Sequence, residues 1–259
     1  MSEAERPVLA VAGAADSVCH LMWLFRRQEP EVKALAEERQ SLGFPHYLTS
    51  RMGVIPSAHW ADQVFIAPRS LVEHLLPRCE ALDPPRYVDL ALRAAGQALG
   101  RILPDAPTGA LRQIADVVEA QGELVVGWAN WPRSGDRYCD AVRDAMVVRE
   151  DRAHGHYQAA AQEGLTALQL LVLTQIWRGR DVGMISKGFR WGDDEVALAQ
   201  ESLRERELLN ADGSITESGR TLREALEEST NRFAGRRLDH LGEERLRDLT
   251  AELERLASI

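Results

Sequence analysis

The stretch LLNADGSITESGR, Leu208 to Arg220, decides how the second half of the chain is read. Asp212-Gly213 is a two-residue hairpin signal, because both residue types tolerate the positive φ that a tight primed turn demands. A short apolar piece stands on either side of it, Leu208-Leu209 before and Ile215 after. Glu217-Ser218-Gly219 then leads into a helical pattern from Arg220 to Phe233. Upstream, Asp193 to Leu209 is amphipathic at helical spacing, and Leu165 to Trp177 is strongly apolar. Helix, helix, short hairpin, helix is the order of a winged helix-turn-helix. The segment therefore predicts a short β-hairpin wing. A last amphipathic helix, about Gly242 to Leu256, is expected to pack back on the body.

Working outward towards the N-terminus, nearly everything else reads as helix. Ala14 to Arg27, Glu31 to Leu42, Ser57 to Phe65, Pro68 to Glu80, Pro84 to Leu103 and Thr108 to Gly122 are bounded by proline, glycine or a capping residue. GWANWPRSGD, Gly127 to Asp136, reads as a loop with two tryptophans. A long helix follows from about Arg137 to Gln162. The expected fold is mainly α: a helical domain over 1–162, a winged helix-turn-helix over 163–235 with its β-hairpin wing, and a C-terminal helix over 236–259.

Composition bounds the function. The 259 residues carry a net charge of −9, with 45% hydrophobic and 27% charged residues, which is ordinary for a soluble globular protein. No apolar run reaches the roughly 18 residues needed to span a bilayer. The N-terminus has acids where a signal peptide needs bases, so a cytoplasmic protein with no membrane association is expected. Cys19, Cys79 and Cys139 are scattered and odd in number, which argues against disulfides and CxxC metal sites. Up to Ala160 there are 17 Lys and Arg against 21 Asp and Glu, and after it 14 against 19. Neither half is a basic module.

That balance bears on DNA. A reading helix places its N-terminal turns against bases and phosphates. Asp193 to Leu209 opens with Asp193, Asp194 and Glu195, and adds Glu201, Glu205 and Glu207 against only Arg204 and Arg206. Acids there stabilise the helix through its dipole but repel phosphates. Nucleic acid is an unlikely partner on this reading, with Arg220 and Arg223 the only further support for it.

The charged stretch VVREDRAHGHYQAA, Val147 to Ala160, holds the candidate site. On a helical projection Val142, Ala145, Met146, Ala153 and Ala160 form an apolar arc, with Asp140, Asp144, Asp151 and Gln158 opposite. Arg149, Arg152 and His156 lie in or beside the apolar arc, while His154 falls towards solvent. Inward arginines need acceptors. Those are either a structural ion-pair network, with Asp16, Glu73 or Glu80 as partners, or a cationic pocket for an anionic or oxygen-rich small molecule with His156 as proton carrier. A metal site is disfavoured, because His154 and His156 are i, i+2 and splay apart; it would need His20, His46 or His59.

Other candidates are weaker. In FPHYLTSRM, Tyr47 and Arg51 share a face if Pro45 starts a helix, either as a tyrosine packed on an arginine stem or as ligand contacts. Trp128 and Trp131 either cap a pocket as an aromatic lid or pack as amphipathic rings. No GxSxG, GxGxxG, Walker A or HExxH pattern occurs, so neither an enzyme class nor a cofactor is indicated.

LLNADGSITESGR resembles the wing region of MarR-like proteins, with its leucine pair, Asp-Gly tip and T-x-x-G step. Over nearly its full length the chain also resembles an actinobacterial helix-turn-helix family of largely uncharacterised members. The segments LGFPHYLTSRMGVIP, REDRAHGHYQAA, GFRWGDDE and LRERELLNADGSITESGR carry that resemblance. Arg149, Glu150, Arg152, Gly155 and His156 fit the family's Arg-Glu-x-Arg-x-x-Gly-His string. The first segment departs: Ser50-Arg51 and Val54-Ile55-Pro56 stand where a Gly-Arg step and an Ala-Pro-Leu-Gly run are usual. The resemblance implies fold more than activity. The expectation is a small-molecule-binding protein of actinobacterial specialised metabolism, with catalysis and a homodimeric state left open. Its winged helix would not read DNA. The rival is a MarR-like ligand-responsive regulator.

Overall fold

Proline and glycine mark several of the helix boundaries, as their backbone chemistry requires. The computed structural model describes residues 5–25, 43–117 and 120–259. Among them run α1 (Arg6–Phe25), α2 (Phe44–Met52), α3 (Trp60–Gln63), α4 (Arg69–Glu80), α5 (Pro84–Ile102), α6 (Thr108–Ala115) and α7 (Glu123–Asn130). Then come α8 (Arg137–Gln162), α9 (Ala167–Trp177), α10 (Gly183–Phe189), α11 (Asp193–Glu205), α12 (Glu217–Gly235) and α13 (Glu243–Ala257). Pro45 and Pro84 stand in the first turns of α2 and α5, where the missing N–H costs no helical bond. The helix expected over Glu31 to Leu42 lies outside the described residues. Among those described, no helix is long and apolar enough to cross a membrane.

Two compact units result: residues 1–58, 75–154 and 231–259 form the first, and 59–74 with 155–230 the second. In the first, α1 packs along α13 and α5, and α2 packs on α5. Arg6 donates to both oxygens of Glu254 at 2.7 and 2.8 Å, and Ser17 Oγ donates to the Ala257 carbonyl at 3.0 Å. The loop expected from Gly127 is partly helix, since α7 runs through it. A Cβ at Gly127 would lie 2.6 Å from Ile55 Cγ2, so this glycine serves close packing rather than a turn.

Helix α8 is buried at every position from Ala141 to Val148. A helix enclosed in this way has no solvent face there. Asp144 and Asp151, which the projection sets outward, are 1% and 0% exposed. Periodicity separates apolar from polar residues; it does not show that the polar side is wet.

In the second unit, the Thr166 hydroxyl accepts from Gln169 N at 3.2 Å, and Gln169 Oε1 accepts from Thr166 N at 2.8 Å, a capping box that starts α9. Leu168, Val172 and Leu173 of α9, Ile185 of α10, Val196 and Leu203 of α11 and Leu226 of α12 share one core. α10 packs on α11, and α10 has no counterpart among the expected helices. Between them Arg190 takes a left-handed conformation at φ 65, and Trp191 Nε1 donates to the Ile66 carbonyl at 3.1 Å. Glu195 Oε2 accepts from Gly192 N at 2.8 Å, so the acidic start of α11 caps its own helix.

The β-hairpin wing is not formed. Leu208 to Thr216 makes a turn closed by a single antiparallel bridge, Leu209 to Ile215, and no strand occurs among the described residues. Asn210 N donates to Ser214 O at 2.8 Å and Thr216 N to Leu208 O at 3.1 Å. Asp212 Oδ1 accepts from Ser214 N at 2.9 Å. The turn chemistry was legible, but α11 ends at Glu205 and α12 begins at Glu217, which leaves no chain to extend a ladder. The fold is mainly α without a wing.

Gly219, of the T-x-x-G step, is needed for proximity. A Cβ there would run into the Leu208 carbonyl oxygen and sit 3.0 Å from Ile215 Cγ1. Its N–H donates to Thr216 Oγ1 at 2.9 Å, which caps α12. Gly219→Ala is expected to cost about 1–3 kcal/mol in urea unfolding. Gly188→Ala, where a Cβ meets nothing within 4 Å, is expected to cost nothing. Equal midpoints for the two variants would refute this role.

Candidate functional site

One turn of α8, Arg149 to Arg152, gathers most of the buried charge of the first unit. Arg51 of α2 donates through Nε and Nη2 to the two oxygens of Glu150 at 2.8 and 2.7 Å; the side chains are 4% and 2% exposed. Arg149 Nη1 donates to the same Glu150 Oε1 at 2.9 Å. Burial alone would raise the Glu150 pKa; Arg51 and Arg149 outweigh it and hold the carboxyl below its ordinary range. Arg51 Nη1 makes a long 3.5 Å contact with Tyr47 OH, one turn earlier on α2. Its carbonyl accepts from Trp128 Nε1 at 3.0 Å.

Two guanidiniums thus share one buried carboxylate. The second negative charge is Asp16, with Oδ1 3.2 Å from Arg149 Nε and a side chain 69% exposed. The Arg149 guanidinium lies over the Trp23 ring at 4.8 Å. Trp23 tilts on Tyr47 at 5.2 Å, and Tyr47 stacks on Phe44 at 5.7 Å. Two buried N–H groups here, Trp23 Nε1 and Arg149 Nε, make no hydrogen bond among the described residues; the Asp16 contact is ionic only. Buried Cys19 stands by this cluster, its thiol pushed well above the usual range by burial.

Asp151 serves a second pair. Arg236 donates to it through Nη1 and Nη2 at 2.9 and 2.7 Å, and Arg237 through Nε at 2.8 Å. Arg237 is 1% exposed, and its Nη1 also donates to the Ile114 carbonyl at 2.9 Å, tying the segment after α12 to α6. Arg152 Nη2 donates to Asn231 Oδ1 at 3.2 Å. Arg149 and Arg152 belong to the first unit and His156 to the second. His156 Nδ1 lies 2.9 Å from Thr230 Oγ1, and that hydroxyl gives its hydrogen to Leu226 O at 2.7 Å. Nδ1 must therefore be the protonated nitrogen. His154 and His156 are both half-buried, so the expected contrast between them is not seen.

Trp128 is 0% exposed and belongs to the core, so it is no lid. Half-buried Trp131 donates to Asp89 Oδ1 at 3.1 Å. His46 Nδ1 is 2.6 Å from the hydroxyl of buried Tyr87. Among the described residues no group of three or more His, Cys, Asp or Glu is placed to hold a metal ion.

Three arginines of the second unit are engaged. Arg204 pairs with Glu201 at 2.9 Å, and Arg206 donates to the carbonyls of Gly164 and Glu163 at 3.1 and 2.8 Å. Arg223 is 1% exposed, lying over Trp177 and pairing with Glu227.

Sequence reasoning missed Glu150, Asp151, Trp23, Arg236 and Arg237. The available signal was the apolar run on all sides of AVRDAMVV, which leaves adjacent carboxylates no route to water. The described residues form a mainly helical protein. A family profile described as a helix-turn-helix family matches residues 17–259, and the chain belongs to that family. No curated protein and no solved structure matches the chain.

Proposed function

We propose that this member of the helix-turn-helix family binds a small, oxygen-rich anionic molecule at Trp23, Tyr47 and Arg149, and that its helix-turn-helix does not read DNA. The carrying observation is the pair of buried donors, Trp23 Nε1 and Arg149 Nε, that make no hydrogen bond beside a carboxylate already shared by two guanidiniums. An unmet buried donor costs roughly 1–3 kcal/mol, and an acceptor oxygen from a ligand removes that cost. Arg51 holds Glu150 in place; Arg149 has the exposed Asp16 carboxylate as its other counter-charge, and the tilted Trp23 and Tyr47 rings offer an aromatic flank. Arg152, Trp131 and His156 have partners elsewhere and are not needed. This reading keeps the actinobacterial, specialised-metabolic setting that the four resembling segments imply.

A MarR-like regulator is the competing reading, and the family match bears on its helix-turn-helix part alone. Against it stand exposed Asp193, Asp194 and Glu195 in the first turn of α11, with Arg204 and Arg206 engaged. Thermal unfolding with a panel of small carboxylates and phosphates tests the site. A ligand at a hundred times its Kd stabilises by about 2.7 kcal/mol. Trp23→Phe keeps an aromatic ring and removes the N–H, and is expected to weaken binding about fivefold to tenfold. A panel without effect, or binding indifferent to Trp23→Phe, refutes the site. Tight, salt-sensitive binding to duplex DNA refutes the second half of the proposal.

A further inference from the structure

We infer that the outward face of α11 is a docking surface for a basic amphipathic segment of a partner protein. Val196, Ala199 and Leu203 turn one side of α11 into the core of the second unit. Leu198 stands on the other side and is 71% exposed, with Met184 of α10 50% exposed. Single exposed leucines are common on protein surfaces; what distinguishes this one is its surroundings. Asp194, Glu195, Glu201 and Glu205 lie at i−4, i−3, i+3 and i+7 from Leu198, so they share its face. All four are exposed. Glu195 is engaged with Gly192 N and Glu201 with Arg204, while no ion pair among the described residues holds Asp194 or Glu205.

The face is therefore one apolar side chain within a ring of carboxylates. Charge complementarity selects the occupant. Nucleic acid is repelled by the acids. A second copy would present the same acidic face to this one, on a chain of net charge −9. A segment carrying lysine or arginine around an apolar residue meets both features, with the charges setting approach and register and Leu198 supplying the buried contact. The helix that would enter a DNA groove in a DNA-reading relative is here suited to a protein.

The test uses the full chain and fluorescence anisotropy with a labelled synthetic helical peptide of lysine and leucine as the probe. Oligolysine of equal length, duplex DNA and salt are varied alongside. The peptide is expected to bind, to weaken as salt rises, and to lose about tenfold in affinity, or 1.4 kcal/mol, with Leu198→Ser. A similar loss is expected for Asp194→Lys combined with Glu205→Lys. Leu198→Ser is expected to leave the unfolding midpoint unchanged, because the side chain is exposed. Absence of peptide binding, binding unaltered by Leu198→Ser, or oligolysine binding as tightly overturns the inference. So does duplex DNA binding, or self-association in sedimentation that Leu198→Ser abolishes.

Discussion

Glu150→Ala is expected to destabilise the protein by about 3–5 kcal/mol, because it leaves the buried Arg51 guanidinium without its counter-charge. Arg51 would lose both hydrogen bonds to the carboxylate and retain its long contact to Tyr47. Arg149 loses a partner as well, though it retains Asp16 and the Trp23 ring. Urea unfolding measures the loss as a lower midpoint at constant slope. The pH dependence gives an independent readout. The folded pKa of Glu150 lies below its ordinary value, so the unfolded chain takes up the proton first. Its contribution is full above the ordinary glutamate range near pH 4.3 and is lost as pH falls through the folded value. Glu150→Gln is expected to be less stable at neutral pH and to flatten the acid limb. An acid limb identical to that of the parent chain would refute the pairing.

Asp151→Ala is expected to cost a similar amount, about 3–5 kcal/mol, through the other buried cation. Arg237 is 1% exposed and, among the described residues, has Asp151 as its only ion pair, while Arg236, 23% exposed in its side chain, can turn towards water. The effect should therefore track Arg237. Arg236→Ala is expected to cost far less than Asp151→Ala, and Asp151→Leu combined with Arg237→Leu is expected to recover most of the loss, since apolar pairs of similar volume replace buried ion pairs well. Thermal or urea unfolding checks all three. A double variant as unstable as Asp151→Ala would show that Asp151 acts otherwise.

The helices are largely legible because proline, glycine and capping residues act locally. α8 matched its expected bounds, Arg137–Gln162, and α9 and α13 fell close to theirs. What depends on neighbours was not legible. Gly127 looked like a turn because the sequence does not show Ile55 approaching it. Asp212-Gly213 did form a turn, but a wing also needs strand length, which the early start of α12 removes. Arg149 and Arg152 were singled out as inward-facing cations, and one expected partner, Asp16, is present. The organising groups of this turn, Glu150 and Asp151, fall on the flank and the outer face of the projection, because a projection assumes that every helix has one wet side. The aromatic wall of Trp23 and Tyr47 joins α1 to α2 across a long separation in sequence, which spacing within a single helix does not show.

The claim that the Arg149–Arg152 turn is an ionic hub rests most on the Arg51–Glu150 pair. A double-mutant cycle with Arg51→Leu, Glu150→Leu and the double variant, read by urea unfolding, measures that pair directly. A coupling energy of at least about 2 kcal/mol is predicted, because the two groups are in bidentate contact and buried. Additive losses, with coupling below about 0.5 kcal/mol, would contradict the account.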